Sequence, residues 1–187
     1  MLALASVQSP AALQLQTLAR TAASDAVWAL TCRLADIKPL ALGDDVVIGE
    51  SNGRGSGIFA ERDLLPGEIL GRYSGKLLSE AQYQAAWAAG ETSGDYAFEL
   101  GDSEWLVDGE DAATSSWLRY VNHSVRRANC EAIPCNLFGE TYAIYLQTMQ
   151  PIARGDECFF DYGSGYWDRE LGSSNKLTWQ RFKIDNA

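Results

Sequence analysis

Two stretches of the sequence decide the fold: RYVNHS at residues 119–124 and GDECFFDY at residues 155–162. The first places an amide, the only imidazole of the chain and a hydroxyl in three consecutive residues. The second follows two aromatic rings with the phenol of Tyr162, which predicts an apolar slot with one polar tip. Each stretch also has a structural interpretation, because a single histidine is often a packed residue and the aromatic run suits a core strand.

A third pattern, GRGSGIFA, occupies residues 53–60. Its glycines permit a positive φ and a close approach of the backbone to a ligand, and a glycine-rich hairpin turn is the alternative. No Gly-Lys-[Ser/Thr] follows, so this is not a phosphate-binding P-loop. Neither Ser56 nor Ser124 has the surroundings of a catalytic nucleophile, so a serine triad is not expected.

In this order and spacing the patterns resemble the SET domain of protein lysine methyltransferases. The matching motifs are G-x-G at 55–57, Y-x-G at 73–75, N-H-S at 122–124 with N-C at 129–130, and the final motif at 155–162, where Cys158 replaces the usual aliphatic residue. The resemblance covers roughly residues 45–167, and residues 108–122 also resemble the PR-domain branch of that family.

The resemblance implies a mostly β (α+β) fold of small curved sheets with a C-terminal pseudoknot. We expect an N-terminal helical appendage at 1–43, a SET domain at 44–167 and a tail at 168–187 that lacks a cysteine-rich post-SET motif. The apolar period predicts a helix over 10–37, with a break or second N-cap at Ser24 and Asp25. From residue 44 onwards, short β-rich runs alternate with turns, without β-α-β alternation or a parallel-sheet signature.

The resemblance also implies the cofactor S-adenosyl-L-methionine and a lysine channel. Tyr162 is the implied catalytic residue. The implied cofactor-binding residues are Gly55, Ser56, Gly57, Tyr96, Arg119, Asn122, His123 and Trp167, with Trp179 as the alternative to Trp167 for covering the adenine. The implied substrate channel is formed by Tyr96, Phe160 and Tyr162. A phenylalanine at 160 implies di- or trimethylation, with a plain core role as the alternative. Tyr142 and Tyr145 are further channel candidates.

Charge is concentrated in one part of the chain. The formal net charge is −10, and eight acidic residues with no Lys or Arg lie between Glu91 and Asp111. Such a stretch repels phosphate backbones, so direct nucleic-acid binding is not expected. It favours a basic protein substrate, for which the family suggests a histone tail; a solvated acidic face that aids solubility is the alternative.

The remaining features limit compartment and partners. Four cysteines without C-x-x-C spacing predict free, partly buried thiols and no zinc site. No apolar run reaches the ~18 residues of a membrane span, and no basic n-region marks a secretory signal. A nuclear location is expected in a eukaryotic cell and a cytoplasmic one otherwise, with organelle import as an alternative. Residues 10–37 are a candidate partner or dimer contact.

Two other functions fit the same residues. One is a catalytically silent SET-like module that binds a basic peptide, although silent relatives often lose Tyr162, Asn122 or His123. The other is a methyltransferase of a non-histone protein.

Overall fold

The computed structural model describes residues 9–35, 37–101 and 103–163. Within these residues lie two α-helices, one short 3-10 helix and ten strands. The helices are α1 (Pro10–Leu34), α2 (Glu80–Ala88) and the 3-10 helix Trp117–Tyr120. The strands are β1 (Val46–Ser51), β2 (Gly55–Ala60), β3 (Ile69–Arg72), β4 (Lys76–Ser79), β5 (Ala97–Glu99), β6 (Trp105–Asp108), β7 (Asn122–His123), β8 (Cys130–Leu137), β9 (Glu140–Thr148) and β10 (Phe159–Phe160). The expected mostly β architecture is confirmed.

Both α-helices begin at a serine cap. The Ser9 side chain accepts a hydrogen bond from the Ala12 amide at the start of α1. Ser79 and Gln82 form a reciprocal capping box at the start of α2, which satisfies two otherwise unpaired amides. The predicted break at Ser24 and Asp25 is wrong: α1 is continuous there.

Three antiparallel arrangements build most of the sheet structure that the model describes. β1 and β2 form a hairpin, and β4, β6 and β5 form a three-stranded sheet in that order. The remaining sheet has the order β3-β9-β8-β10-β7, and its centre is the long antiparallel pair β8 and β9.

β10 is inserted between two strands that follow each other in the chain. It pairs in parallel with β7 through Phe159↔Asn122 and Phe160↔His123, and in parallel with β8 through Phe160↔Cys130. Because residues 124–129 connect β7 to β8, this connection must pass around β10, which is the expected pseudoknot. The sequence showed no parallel-sheet signature because these parallel strands are too short to give a hydrophobic pattern.

The N-terminal helix packs on the domain. Val27 belongs to a small apolar cluster with Cys135 and Ala143, and the Trp28 ring lies 5.5 Å from the Tyr145 ring. At the outer edge of this contact, the Arg20 guanidinium pairs with Glu140 at 2.7 Å. The appendage therefore contacts the β8–β9 hairpin directly. Within the described ranges, no helix has the length and apolar character to cross a membrane.

A single large core lies between the sheets and the 3-10 helix. Its buried members come from all three sheets, with Leu77, Phe98 and Val107 from the sheet of β4, β6 and β5. They include Val46, Ile58, Leu64, Leu70, Leu100, Leu118, Val121, Ile144, Leu146 and Ile152. This packing fixes the backbone around Val121, from which the candidate site is built.

Candidate active site

A small aromatic pocket lies where β5, the 3-10 helix and β10 meet. Its volume is about 20 Å³, which is little more than the space that one water molecule needs. The lining residues are Tyr73, Asp95, Tyr96, Ala97, Phe98, Leu118, Arg119, Val121, Phe160 and Tyr162. The Phe98 and Phe160 rings stack with centroids 6.1 Å apart, and Tyr162 lies 4.6 Å from Phe160. The pocket is therefore narrow and walled largely by aromatic rings.

Tyr162 is held at the pocket by two hydrogen bonds. Its hydroxyl donates to the Val121 carbonyl at 2.7 Å, and its backbone amide donates to Nδ1 of His123 at 2.9 Å. Burial lowers the pKa of His123, which the nearby Asp161 carboxylate only partly offsets. A neutral imidazole that accepts at Nδ1 is consistent with this environment. Both hydrogen bonds join the motif at 155–162 to residues 121–123 on the other side of the pseudoknot. The pseudoknot therefore sets the position of the Tyr162 phenol.

A second tyrosine supports the opposite wall. The hydroxyl of the buried Tyr73 donates to the Tyr96 carbonyl at 2.8 Å. Burial raises the pKa of Tyr73, so its hydroxyl keeps its proton and remains a donor. The Tyr96 ring in turn lies under the Arg119 guanidinium, whose central carbon is 3.9 Å from the ring centroid. This is a cation–π contact at short range.

Arg119 joins several parts of the site. Its Nη2 donates to the Glu110 carbonyl at 3.0 Å, and its Nη1 donates to the Tyr120 hydroxyl at 3.2 Å. Its Nε is buried and has no hydrogen-bond partner among the described residues. A buried donor without a partner is costly, which marks this position as one where a ligand would be stabilising.

Asn122 links the glycine motif to the pseudoknot. Its Nδ2 donates to the Ser56 carbonyl at 3.0 Å and to Oε1 of Glu157 at 2.9 Å. Gly57 lies so close to these groups that a Cβ there would collide with the Glu157 carboxylate and contact Ser51. Gly55 has a φ of +73°, which favours glycine. The predicted positive φ is therefore present at Gly55, whereas the close approach at Gly57 is to protein side chains and the approach to a ligand stays a prediction.

Asn129 anchors the strand that carries Phe160. Its Nδ2 donates to the Glu157 carbonyl at 2.8 Å, and its Oδ1 accepts from the Phe159 amide at 2.8 Å. One side chain thus pairs with a carbonyl and an amide of the backbone that enters β10.

The structure brings four of the expected site residues together, because Tyr96, Arg119, Phe160 and Tyr162 line the pocket. Gly55, Ser56, Gly57 and Asn122 do not line it; Asn122 instead bonds to the Ser56 carbonyl of the glycine motif. His123 lies against Tyr162, with ring centroids 5.2 Å apart. Trp167 and the tail at 168–187 lie outside the described residues.

Two channel candidates lie away from the pocket. Tyr142 lies under the Arg20 guanidinium at 4.0 Å, and Tyr145 packs against Trp28 of α1. Both belong to the contact that holds the N-terminal helix, and neither lines the pocket.

Sequence reasoning also missed three residues of the site: Phe98, Glu110 and Glu157. Phe98 stacks on Phe160, Glu157 accepts from Asn122, and Glu110 accepts from Arg119 through its carbonyl. Glu157 lies inside the motif at 155–162, so the sequence could have indicated it as a site residue. Phe98 and Glu110 follow no local pattern that would indicate them.

The acidic stretch is only partly a charged surface. Asp108 is buried and accepts from the Glu110 amide at 3.0 Å, and Asp111 accepts from the Ala113 amide at 2.9 Å. Asp95 is the one carboxylate among the pocket-lining residues, and it is exposed. Asp95 therefore places one exposed carboxylate at the pocket, while Glu91, Glu104 and Asp111 are also exposed.

The cysteines are free thiols, as predicted. Cys130, Cys135 and Cys158 are buried and Cys32 is half-buried. A hydrogen bond with the Cys158 thiol, together with burial, raises the pKa of Cys130. Among the described residues, no cluster of three or more His, Cys, Asp or Glu side chains suits a metal ion.

Comparisons with known proteins agree with this architecture. The sequence model of the SET domain family matches residues 55–163, more than half of the chain. The chain is 27% identical over 123 residues to the Caenorhabditis elegans histone-lysine N-methyltransferase set-17, covering 65% of this chain and 41% of that protein.

Among solved structures, the chain resembles a humanized mutant of the Chaetomium thermophilum Polycomb Repressive Complex 2 bound to an inhibitor. That match has a TM-score of 0.53 and 27% identity, and covers 67% of this chain and 15% of the other. The autoinhibited ctPRC2 complex bound to S-adenosylmethionine matches with a TM-score of 0.53 and 27% identity, over 68% of this chain and 16% of the other. The chain thus spans less than half of each of these proteins. The chain has the pseudoknot and the motifs described above, and the SET domain family model matches residues 55–163. It therefore belongs to the SET domain family.

Proposed function

We propose that this protein is an S-adenosylmethionine-dependent protein-lysine N-methyltransferase. The observation that carries the proposal is the narrow aromatic pocket, in which the Tyr162 hydroxyl is fixed by Val121 directly beside Asn122 and His123. Membership of the SET domain family and a relative named as a histone-lysine N-methyltransferase support this interpretation.

The residues present fit the cofactor. The buried Nε of Arg119 lacks a partner among the described residues, and Gly57 lets the backbone at Ser56 pass closely beside Asn122. In our proposal the cofactor is held by residues that surround these positions: Gly55, Ser56, Gly57, Tyr96, Arg119, Asn122 and His123. S-adenosylmethionine supplies a methyl group activated by a positively charged sulfur.

The aromatic walls of the site favour an unbranched side chain that must lose its charge, and the pocket, which now holds little more than one water molecule, must widen to admit it. Phe98, Phe160 and Tyr162 form apolar walls, and burial between such walls lowers the pKa of a lysine amine. Transfer by displacement requires a neutral amine in line with the methyl group, and alignment in a closed site can remove several kcal/mol of barrier.

Tyr162 has the chemistry to assist without acting as a base. Its hydroxyl proton is donated to the Val121 carbonyl, so the phenol oxygen remains an acceptor at the pocket wall. Such an oxygen can make weak C–H···O contacts to a methyl group that carries partial positive charge. We therefore assign it the catalytic role.

Phe160 bears on the extent of methylation. Its side chain is 3% exposed and lies between Phe98 and Tyr162. An apolar ring here offers no hydroxyl to retain a water molecule beside the amine, which favours di- or trimethylation.

The substrate in this proposal is a basic protein, for which we favour a histone tail. The exposed Asp95 at the pocket entrance provides negative charge that attracts lysine- and arginine-rich peptides. The name of the set-17 relative also favours histones, and with them a nuclear location.

Incubation with S-adenosylmethionine and mixed core histones tests the substrate, with mass spectrometry of intact products and peptides. Di- or trimethylation at one lysine supports the proposal in full. Transfer to other basic proteins but not to histones would favour a non-histone methyltransferase. If the protein neither binds the cofactor nor transfers methyl groups, the remaining candidate function is a catalytically silent module that binds a basic peptide.

A further inference from the structure

Residues 92–96 form a short segment between α2 and β5, and they lead directly into the pocket wall at Tyr96. A single carboxylate oxygen of Glu110 holds this segment. Oε2 of Glu110 accepts from the Ser93 amide at 2.9 Å, from the Ser93 hydroxyl at 2.6 Å and from the Thr92 hydroxyl at 3.4 Å. Thr92 is itself buried, so this connection fixes the backbone and not merely two surface side chains.

The segment is organised around the same two hydroxyls. The Thr92 hydroxyl accepts from the Gly94 amide at 3.2 Å, and the Ser93 hydroxyl accepts from the Asp95 amide at 3.1 Å. Through these two hydroxyls, the Glu110 carboxylate is linked to the amides of Gly94 and Asp95, and Asp95 directly precedes Tyr96. Without it, these hydroxyls would lose the acceptor that orients them.

Glu110 also faces the other side of the wall. Its carbonyl accepts from Arg119 at 3.0 Å, and its amide donates to the buried Asp108 at 3.0 Å. Arg119 covers the Tyr96 ring at 3.9 Å. One residue is thus bonded both to the segment that carries Tyr96 and to the guanidinium that stacks on it.

The carboxylate stays ionised in this position. Burial alone would raise the pKa of Glu110, but the hydrogen bonds from Ser93 outweigh it and the pKa is lowered. Hydrogen bonds to an ionised acceptor are the stronger kind.

We propose that Glu110 is a positioning residue that latches residues 92–96 to the 3-10 helix side of the pocket, and so holds Tyr96 against Arg119. The inference rests on the proposed function for its consequence, since Tyr96 and Arg119 are assigned to cofactor and substrate. The latch itself is a property of the fold and can be measured without any activity.

The test compares four proteins: wild type, Glu110→Ala, Glu110→Gln and Glu131→Ala. Glutamine keeps one acceptor oxygen of the same reach. Glu131 is exposed on β8, so its loss changes the net charge equally without touching the pocket. Hydrogen exchange of the amides at 93–97 is the first measurement, and affinity for S-adenosylmethionine by calorimetry is the second.

We expect Glu110→Ala to speed exchange at 93–97 about tenfold or more, because local opening becomes easier. Cofactor affinity falls by about tenfold from loss of the aligned wall, while the thermal midpoint stays near that of Glu131→Ala. Glu110→Gln recovers a substantial part of both effects.

Unchanged exchange at 93–97 in Glu110→Ala, or a change matched by Glu131→Ala, would overturn the latch. Faster exchange over the whole domain with a lowered thermal midpoint would also overturn it, because Glu110 would then be a general stability residue. If wild type neither binds cofactor nor transfers methyl, the proposed function fails, and the exchange comparison still decides the latch.

Discussion

The side-chain amide of Asn122 lies 2.9 Å from Oε1 of Glu157, a residue 35 positions later in the chain. The same nitrogen donates to the Ser56 carbonyl of the β1–β2 hairpin. Three distant segments are therefore joined at one nitrogen. The site is assembled only when the pseudoknot has closed.

Asn122→Ala should separate these segments. It leaves a partly buried carboxylate and a carbonyl without their donor, which costs about 1–3 kcal/mol in free energy of unfolding. We expect cofactor affinity to fall about tenfold, as one such interaction is worth roughly 1.4 kcal/mol. Urea unfolding and calorimetry measure the two effects. Asn122→Asp places a second carboxylate beside Glu157, so it should lower the free energy of unfolding more than Asn122→Ala does. An equal or smaller loss of stability in Asn122→Asp would contradict the contact between Asn122 and Glu157.

Gly57→Ala should destabilise the hairpin beside the site. A Cβ at this position would collide with the Glu157 carboxylate and lie 3.0 Å from the Cβ of Ser51. Overpacking of this kind costs about 1–3 kcal/mol. The matched control is Gly53→Asn, because Gly53 has a φ of +72° with open space around it and asparagine tolerates that backbone. Equal unfolding midpoints for the two variants would argue against the close approach at Gly57.

His123 should make stability depend on pH near neutrality. Burial lowers its pKa below the ordinary 6.5, so the folded protein favours the neutral ring. The stability that the neutral His123 contributes is fully present above about pH 6.5. It is lost as the pH falls from there through the lower pKa of His123 in the folded protein. It is the only histidine of the chain, so His123→Gln should flatten the free energy of unfolding between pH 7.5 and 5.5. A slope that persists in the variant would assign the effect elsewhere.

Phe160→Tyr should reduce the extent of methylation. The pocket has a volume of about 20 Å³, and a hydroxyl added to a ring that is 3% exposed must occupy part of it. We expect mono- and dimethylated products to replace higher states, read by mass spectrometry under conditions where wild type completes its reaction. Phe160→Leu, which adds no polar group, is the control. An unchanged product distribution in Phe160→Tyr would leave Phe160 as a core residue only.

Much of the fold could be predicted because its signals are local. The serine and glutamine of the α2 capping box and the positive φ of Gly55 depend only on neighbouring residues, whereas Gly57 is required by its approach to the distant Glu157. The motif residues Asn122 and Tyr162 were recognised as a set, and Tyr162 is hydrogen-bonded to the residues on either side of Asn122, which are Val121 and His123.

The unpredicted features depend on contacts between distant residues. β7 and β10 are each two residues long, so no hydrophobic period marks them, and tertiary pairing alone defines them. Asp25 suggested a helix break, yet its carboxylate pairs with Arg72 at 2.7 Å while α1 continues. Glu110 looked like one acid in a charged run, and its three donors are visible only in three dimensions.

The most direct measurement is transfer of a labelled methyl group from S-adenosylmethionine to mixed core histones, with wild type beside Tyr162→Phe. Phenylalanine keeps the ring packing against Phe160 and His123 but removes the hydroxyl that bonds to Val121. We predict label on a lysine with wild type, a loss of about 10²-fold or more in the variant, and cofactor affinity unchanged within about threefold. Equal transfer by both proteins would contradict the catalytic role of Tyr162, and cofactor binding and transfer both absent in wild type would contradict the enzyme itself.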